Sequence, residues 1–199
     1  MAQVGIVLYD DVEVLDCCGP FEVFATAARV ALRQGWPSAP FEVHTIAATE
    51  PMVVARGGLR LVASCILGDH PDLDILVVPG GLTERAERDD RLISWLARTA
   101  EKTQITASVC TGAFLLATAG LLDGREATSH WEDVDELERR FPRVRVRRQV
   151  RWVDEGRVVS SGGISAGIDM SLHLVRRQEG EDLAEATAHQ MEYAWRSGD

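Results

Sequence analysis

The residues best placed for chemistry lie in Thr106-Ala107-Ser108-Val109-Cys110-Thr111-Gly112-Ala113-Phe114-Leu115-Leu116-Ala117. A strand-like run from Gln104 to Val109 ends on a cysteine, and small or apolar residues at helical spacing begin at once. A residue squeezed between strand end and helix start sits in a tight turn, with its side chain over the sheet edge and the first free helix N–H groups pointing at it. Ser108 and Gly112 supply the small neighbours that such an elbow needs. A thiol at a helix N-terminus is expected to have a lowered pKa, because the helix dipole and unpaired amides favour thiolate. The ordinary alternative for Cys110 is a buried, inert thiol. The abrupt strand-to-helix change, Gly112 and the hydroxyl of Thr111 favour a reactive one.

Thiol chemistry needs an acid–base partner and donors for developing negative charge. Gly80-Gly81 follows the strand Asp74 to Val78, where a backbone without side chains could bring the Gly81 N–H close. A plain tight turn reads equally well there. The Thr111 N–H is the second candidate donor. Asp16 lies between Leu15 and Cys17-Cys18, an apolar setting for an acid. It is either an ordinary helix N-cap or a carboxyl whose pKa desolvation raises until it holds a proton to give. Glu22 could share the site or pair with an arginine. His130 reads as a helix-capping histidine, and His173 and His189 as core or surface residues.

The elements that would position these groups alternate. Val4 to Tyr9 is a continuous apolar run suited to a parallel strand buried on both faces. A helix with Phe21, Phe24, Ala25, Ala28 and Leu32 on one face follows, with Pro20 in its first turn. Phe41 to Ala47 reads as a strand, Met52 to Ala55 and Leu59 to Val62 as a hairpin about Gly57-Gly58, and Asp89 to Lys102 as a helix. Further on, helix is expected from Trp131 to Phe141 and from Ala184 to Trp195, with strands at Arg145 to Trp152 and Arg157 to Ser160. The arginines 139, 140, 143, 145, 147, 148 and 151 are expected to alternate with Val144, Val146 and Val150 along a solvated strand. Between the last strand and a helix carrying Ile168, Leu172 and Val175 lies Gly162-Gly163-Ile164-Ser165-Ala166-Gly167. This pattern predicts a single α/β sandwich over residues 1–199, its mostly parallel sheet flanked by helices in the flavodoxin-like manner. Ligands of such sheets gather at the carboxyl ends of the strands. Tyr9-Asp10-Asp11, Pro79-Gly80-Gly81 and Cys110 all fall there, with Gly80, Ile164, Trp152 and the residues after Gly81 expected to bind substrate.

The chain has 199 residues and a formal net charge of −10, so nucleic acid and anionic membranes are not expected partners. No apolar run is long enough to span a bilayer, and the N-terminus lacks the basic and cleavage features of a signal peptide. The four cysteines, at 17, 18, 65 and 110, form no C-x-x-C pair, and the five histidines are scattered. Neither a disulfide framework nor a metal site is expected. Free thiols without an export signal point to the cytoplasm.

Five segments together resemble the ThiJ/PfpI superfamily, whose fold is related to class I glutamine amidotransferase domains. They are Leu15-Asp16 with Gly19-Pro20-Phe21-Glu22-Val23-Phe24, Val78-Pro79-Gly80-Gly81, Val109-Cys110-Thr111-Gly112 continuing to Gly124, Ala127-Thr128-Ser129-His130-Trp131, and Gly162 to Asp169. Thr111 after the cysteine, where the protease-like branch has His, is similar to the branch containing isonitrile hydratase and the ligand domains of AraC-type regulators. The resemblance implies catalytic roles for Cys110, Asp16 and Thr111, no cofactor, a small-molecule substrate and a homodimer. The regulators carry a tandem helix-turn-helix domain after this fold, for which the segment after His173 is too short. The expected activity is therefore hydration of an isonitrile. The alternatives are another cofactor-free thiol enzyme, such as a glyoxalase-like one, or a non-enzymatic redox- or ligand-sensing protein.

Overall fold

The computed structural model describes residues 1–198. In chain order the elements are β1 (Ala2–Leu8), α1 (Val14–Arg33), β2 (Phe41–Ala47), β3 (Met52–Val54), β4 (Arg60–Val62), β5 (Cys65–Ile66) and β6 (Ile75–Val78). Then come α2 (Glu84–Glu87), α3 (Asp90–Lys102), β7 (Ile105–Val109), α4 (Gly112–Thr118), β8 (Glu126–Ala127), α5 (Val134–Arg140) and β9 (Arg145–Val146). β10 (Trp152–Asp154), β11 (Val158–Ser161), α6 (Ala166–Glu179) and α7 (Glu181–Gln190) complete the chain.

A seven-stranded sheet runs β10-β11-β7-β6-β1-β2-β5. Every neighbouring pair in it is parallel except β10 with β11. Strands covered on both faces favour apolar residues, and Val4, Ile6, Val7, Leu76, Val77, Val78, Ala107 and Val109 are wholly buried, with the small polar Thr106, Ser108, Ser160 and Ser161 buried among them. The chain leaves β1 for β2 on one side and returns to β6 on the other. Right-handed crossovers therefore put successive helices on opposite faces. α1, α6 and α7 pack on one another in one layer, while α2, α3 and α4 pack together in the other. Between β1 and β6 the strand order reverses, the point in an open α/β sheet where ligands bind.

Several expected boundaries shift. The run Arg145 to Trp152 is not one strand. It splits into β9 and β10 around Gln149, whose φ is +58°. Around β9 the expected alternation holds, with Arg143, Arg145 and Arg147 exposed and Val144 and Val146 turned inward, but most of the arginines are also paired. Arg143 pairs with Asp123 and Arg147 with Glu126, both at 2.6 Å, while Arg148 spans Asp135 and Glu138 and Arg151 clasps the buried Asp169. Carboxylates far along the chain, invisible to a local period, decide their pairing. The helix expected from Trp131 begins only at Val134, and the last helix is shifted to Glu181–Gln190. Trp195 turns back instead, donating from Nε1 to Asp169 O at 3.3 Å. Pro20 lies inside α1 rather than in its first turn. It has no N–H to give the carbonyl of Asp16, four residues earlier. Phe41–Ala47, the β3–β4 hairpin and α3 fall where expected, with the Asp89 side chain accepting from Arg91 N–H and Leu92 N–H at 3.0 and 3.1 Å.

Candidate active site

Cys110 ends β7 with φ +57°, the left-handed region that costs an L-residue about 1–2 kcal/mol. Two bonds from outside the elbow hold it there. Its N–H donates to Ser161 O on β11 at 3.1 Å, and its carbonyl accepts from the buried Ser129 hydroxyl at 3.0 Å. The close approach of α4 to β6 requires Gly112, because a Cβ there would lie 2.1 Å from Val78 O. The elbow expected from the sequence is thus present, with its chemistry set by what surrounds it.

Asp16 stands in the first turn of α1, whose N-cap is Glu13 and not Asp16. Its side chain is 0% exposed. Gly80 N–H donates to Asp16 Oδ2 at 3.1 Å, while Oδ1 reaches no partner at hydrogen-bond distance. Burial raises this carboxyl from an ordinary 3.8 to about 7, with Glu13 adding to the rise and the Gly80 bond opposing it. A contact with the Cys110 thiol, the least of these influences, also lowers it. The carboxyl therefore exchanges its proton near neutrality.

The thiol departs from expectation. Burial, and then the charge of Asp16, raise the Cys110 pKa well above the usual thiol range. Thr111 N–H and its hydroxyl oppose the rise without reversing it. The seven-residue α4 offers a favourable dipole, but desolvation outweighs it. At rest this is a neutral thiol beside a carboxyl group, and the two titrate as a pair.

Gly80 permits that meeting. A Cβ on it would lie 2.6 Å from both Thr111 N and Thr111 Oγ1 and 2.8 Å from Asp16 Oδ2. The Gly81 N–H, expected to face an oxyanion, instead donates to Thr111 Oγ1 at 2.9 Å, and the Thr111 hydroxyl donates back to Gly81 O at 2.9 Å. This leaves the Thr111 N–H as the backbone donor directed at sulfur. The buried Tyr9 hydroxyl donates to Pro79 O at 2.9 Å, fixing the backbone just before Gly80.

A cavity of about 350 Å³ opens over Cys110, with Gly81, Leu82, Thr111, Phe114, His130 and Ile164 among its walls. Ile164 lines it as expected. Trp152 does not, being 3% exposed and stacked on His173 with ring centroids 5.4 Å apart. Gly80, Tyr9, Asp10 and Asp11 are also absent from the wall, which takes Leu82, Thr83 and Glu84 after Gly81 instead; Asp11 serves through its backbone, its carbonyl accepting from Leu82 N–H at 3.1 Å. Glu22 is far from the chemistry, exposed and paired with Arg29 at 2.9 Å. His130, read from the sequence as a helix cap, does accept from Glu132 N–H through Nδ1 at 3.4 Å ahead of α5, and its ring also shares the cavity wall with the thiol. A methyl on Gly163 would lie 2.7 Å from both Cys110 Sγ and His130 Cδ2. Asp133 stands 3.4 Å from His130 Nδ1. The sequence signal for His130 was its place in Ala127-Thr128-Ser129-His130-Trp131, one of the five segments that carry the family resemblance. Among the described residues, no group of three or more His, Cys, Asp or Glu is placed to hold a metal ion, and no helix is long and apolar enough to cross a membrane.

Comparison with known proteins fits this geometry. Residues 2–177 match the DJ-1/PfpI family. The isonitrile hydratase of Pseudomonas putida is 33% identical over 96% of this chain and 78% of its own length. The HTH-type transcriptional regulator GbdR of Pseudomonas aeruginosa is 29% identical over 96% of this chain, which spans only 50% of that regulator. Among solved structures, a ThiJ/PfpI family protein from Pseudomonas syringae superimposes with a TM-score of 0.85 at 28% identity, covering 97% of this chain and 75% of that one.

Proposed function

The chain belongs to the DJ-1/PfpI family, and on that premise we propose that it adds water to an isonitrile to give an N-substituted formamide. The observation that carries the proposal is the pairing of Cys110 in its elbow with Asp16, a wholly buried carboxyl that exchanges its proton near pH 7. A general acid–base is most effective when its pKa lies near the working pH.

The terminal carbon of an isonitrile accepts both a nucleophile and a proton. Asp16 takes the thiol proton as Cys110 sulfur bonds to that carbon, and returns the proton to the same carbon. The product is a thioimidate, R–N=CH–S–Cys110, with no net change in charge. Asp16 then draws a proton from water as the water oxygen adds to the thioimidate carbon, and passes that proton to the nitrogen. The tetrahedral adduct expels the sulfur, the hydroxyl proton returns through Asp16 to the thiolate, and R–NH–CHO leaves. Thr111, tied to Gly81, orients the water, and its N–H faces the sulfur as negative charge develops. The scheme needs no cofactor, takes a small-molecule substrate and is compatible with a homodimer.

The test is incubation with cyclohexyl isonitrile followed by product analysis and intact-protein mass spectrometry. Formamide release by wild type, with none from Cys110→Ala at retained fold, supports the scheme. An active alanine variant ends it. The likeness to a transcriptional regulator favours a second reading, a ligand-binding module. In that case small molecules bind unchanged, and Cys110→Ser leaves their affinity as it was.

A further inference from the structure

Charge around the mouth of the cavity over Cys110 is lopsided. Its wall carries six carboxylates, on Glu13, Glu84, Glu87, Glu132, Asp133 and Glu136, against two guanidinium groups, on Arg56 and Arg140. Both cations are already engaged. Arg56 faces Glu13 at 3.5 Å. Arg140 pairs with Glu87, has Glu136 at 4.0 Å, and lies 5.2 Å from the ring centroids of both Phe114 and Phe141. Glu84 has no ion-pair partner among the described residues, and Glu132 and Asp133 are answered only by His130, at 3.6 and 3.4 Å. The site is the cavity itself, not this acidic rim. Its floor is Cys110, with the wholly buried and half-partnered Asp16 beside it.

We propose that this cavity selects substrates bearing a positive charge, aminoalkyl isonitriles in preference to neutral or carboxylate-bearing ones. The proposal rests on the hydratase reading and narrows its substrate class. Like charges held together in a partly dry pocket repel, and a bound cation relieves them. The same negative field reaches the reacting group. The Asp133 pKa is raised, first by burial, with His130 opposing and Glu132 and Glu84 adding to the rise, and the Asp133 charge in turn contributes to raising Cys110. A substrate cation at the rim therefore eases loss of the thiol proton, so selectivity appears in kcat as well as in KM.

The experiment compares kcat/KM for an aminoalkyl isonitrile, the alkyl isonitrile of the same length and an isocyano-carboxylate, at low and high salt. In parallel, calorimetry follows binding of a butylammonium salt and of butyrate. The cationic substrate is expected to lead the neutral one by about tenfold or more at low salt, with the lead shrinking as salt screens the rim. The double variant Glu84→Gln with Glu132→Gln should reduce that ratio several-fold. Turnover with a ratio near one that neither salt nor the double variant moves overturns the inference and leaves the hydratase reading standing. Absence of turnover, combined with butylammonium binding that the double variant weakens, removes the hydratase reading and supports the charge selection.

Discussion

Replacing Asp16 by Asn isolates the group on which the chemistry turns, and the structure gives the size of the effect on stability. The Asn carboxamide oxygen can still accept from Gly80 N–H, but the side chain no longer titrates. In the folded protein Asp16 keeps its proton up to about pH 7, whereas in the unfolded chain it releases it near 3.8. Between those values the folded state binds the extra proton, so wild-type stability falls as pH rises. At about 1.4 kcal/mol per pH unit, the loss across this window approaches ~4 kcal/mol. Asp16→Asn removes it. The variant should therefore gain on wild type by up to ~4 kcal/mol between pH 4 and pH 8, while the other carboxylates, common to both proteins, cancel. Urea unfolding followed by tryptophan fluorescence at several pH values measures this difference. Parallel stability curves, or a wild type that gains on the variant with rising pH, would refute the assignment of a dry, proton-holding carboxyl. In the activity assay the same change should lower the rate by about 10²–10⁴.

Other variants test neighbouring parts of the site. Thr111→Val removes the hydroxyl that both accepts from Gly81 N–H and donates to Gly81 O. It should cost about 1–3 kcal/mol in urea unfolding and lower kcat more than it raises KM. Gly80→Ala drives a methyl to 2.6 Å from Thr111 N and Oγ1; activity should vanish together with a loss of about 1–3 kcal/mol. Trp152→Ala should cost about 3–5 kcal/mol while KM stays within about twofold of wild type. A large rise in KM would return Trp152 to the cavity wall.

The architecture was legible where burial alone dictates residue type. The cores of β1 and β6 are apolar on both faces because helices cover both, and that pattern survives in a bare sequence, whereas β7 buries Thr106 and Ser108 among its apolar residues. The elbow was legible for a similar reason: Ser108, Cys110 and Gly112 satisfy a local steric demand. Features set by partners distant in the chain were not. The thiol was expected to ionise easily at its helix start, yet burial and the Asp16 carboxyl, carried on another helix, hold its proton on. The cap reading of His130 missed its second role, since only the fold brings Gly163 against both the imidazole and the sulfur. The arginines between 143 and 151 follow a strand period in one dimension but are sorted in three by Asp123, Glu126, Asp135, Glu138 and Asp169. Trp152 has the composition of a pocket wall, and its stacking on His173 turns it into core.

Both peptide groups of Cys110 are tied to segments that come later in the chain, Ser129 and the end of β11. Deuterium can reach the Cys110 amide only when β7 parts from β11 within the parallel sheet, an event close to complete unfolding. In hydrogen–deuterium exchange this amide should fall in the slowest class. The aim of the sulfur is thus set by the sheet itself and not by the residues that ring the cavity mouth.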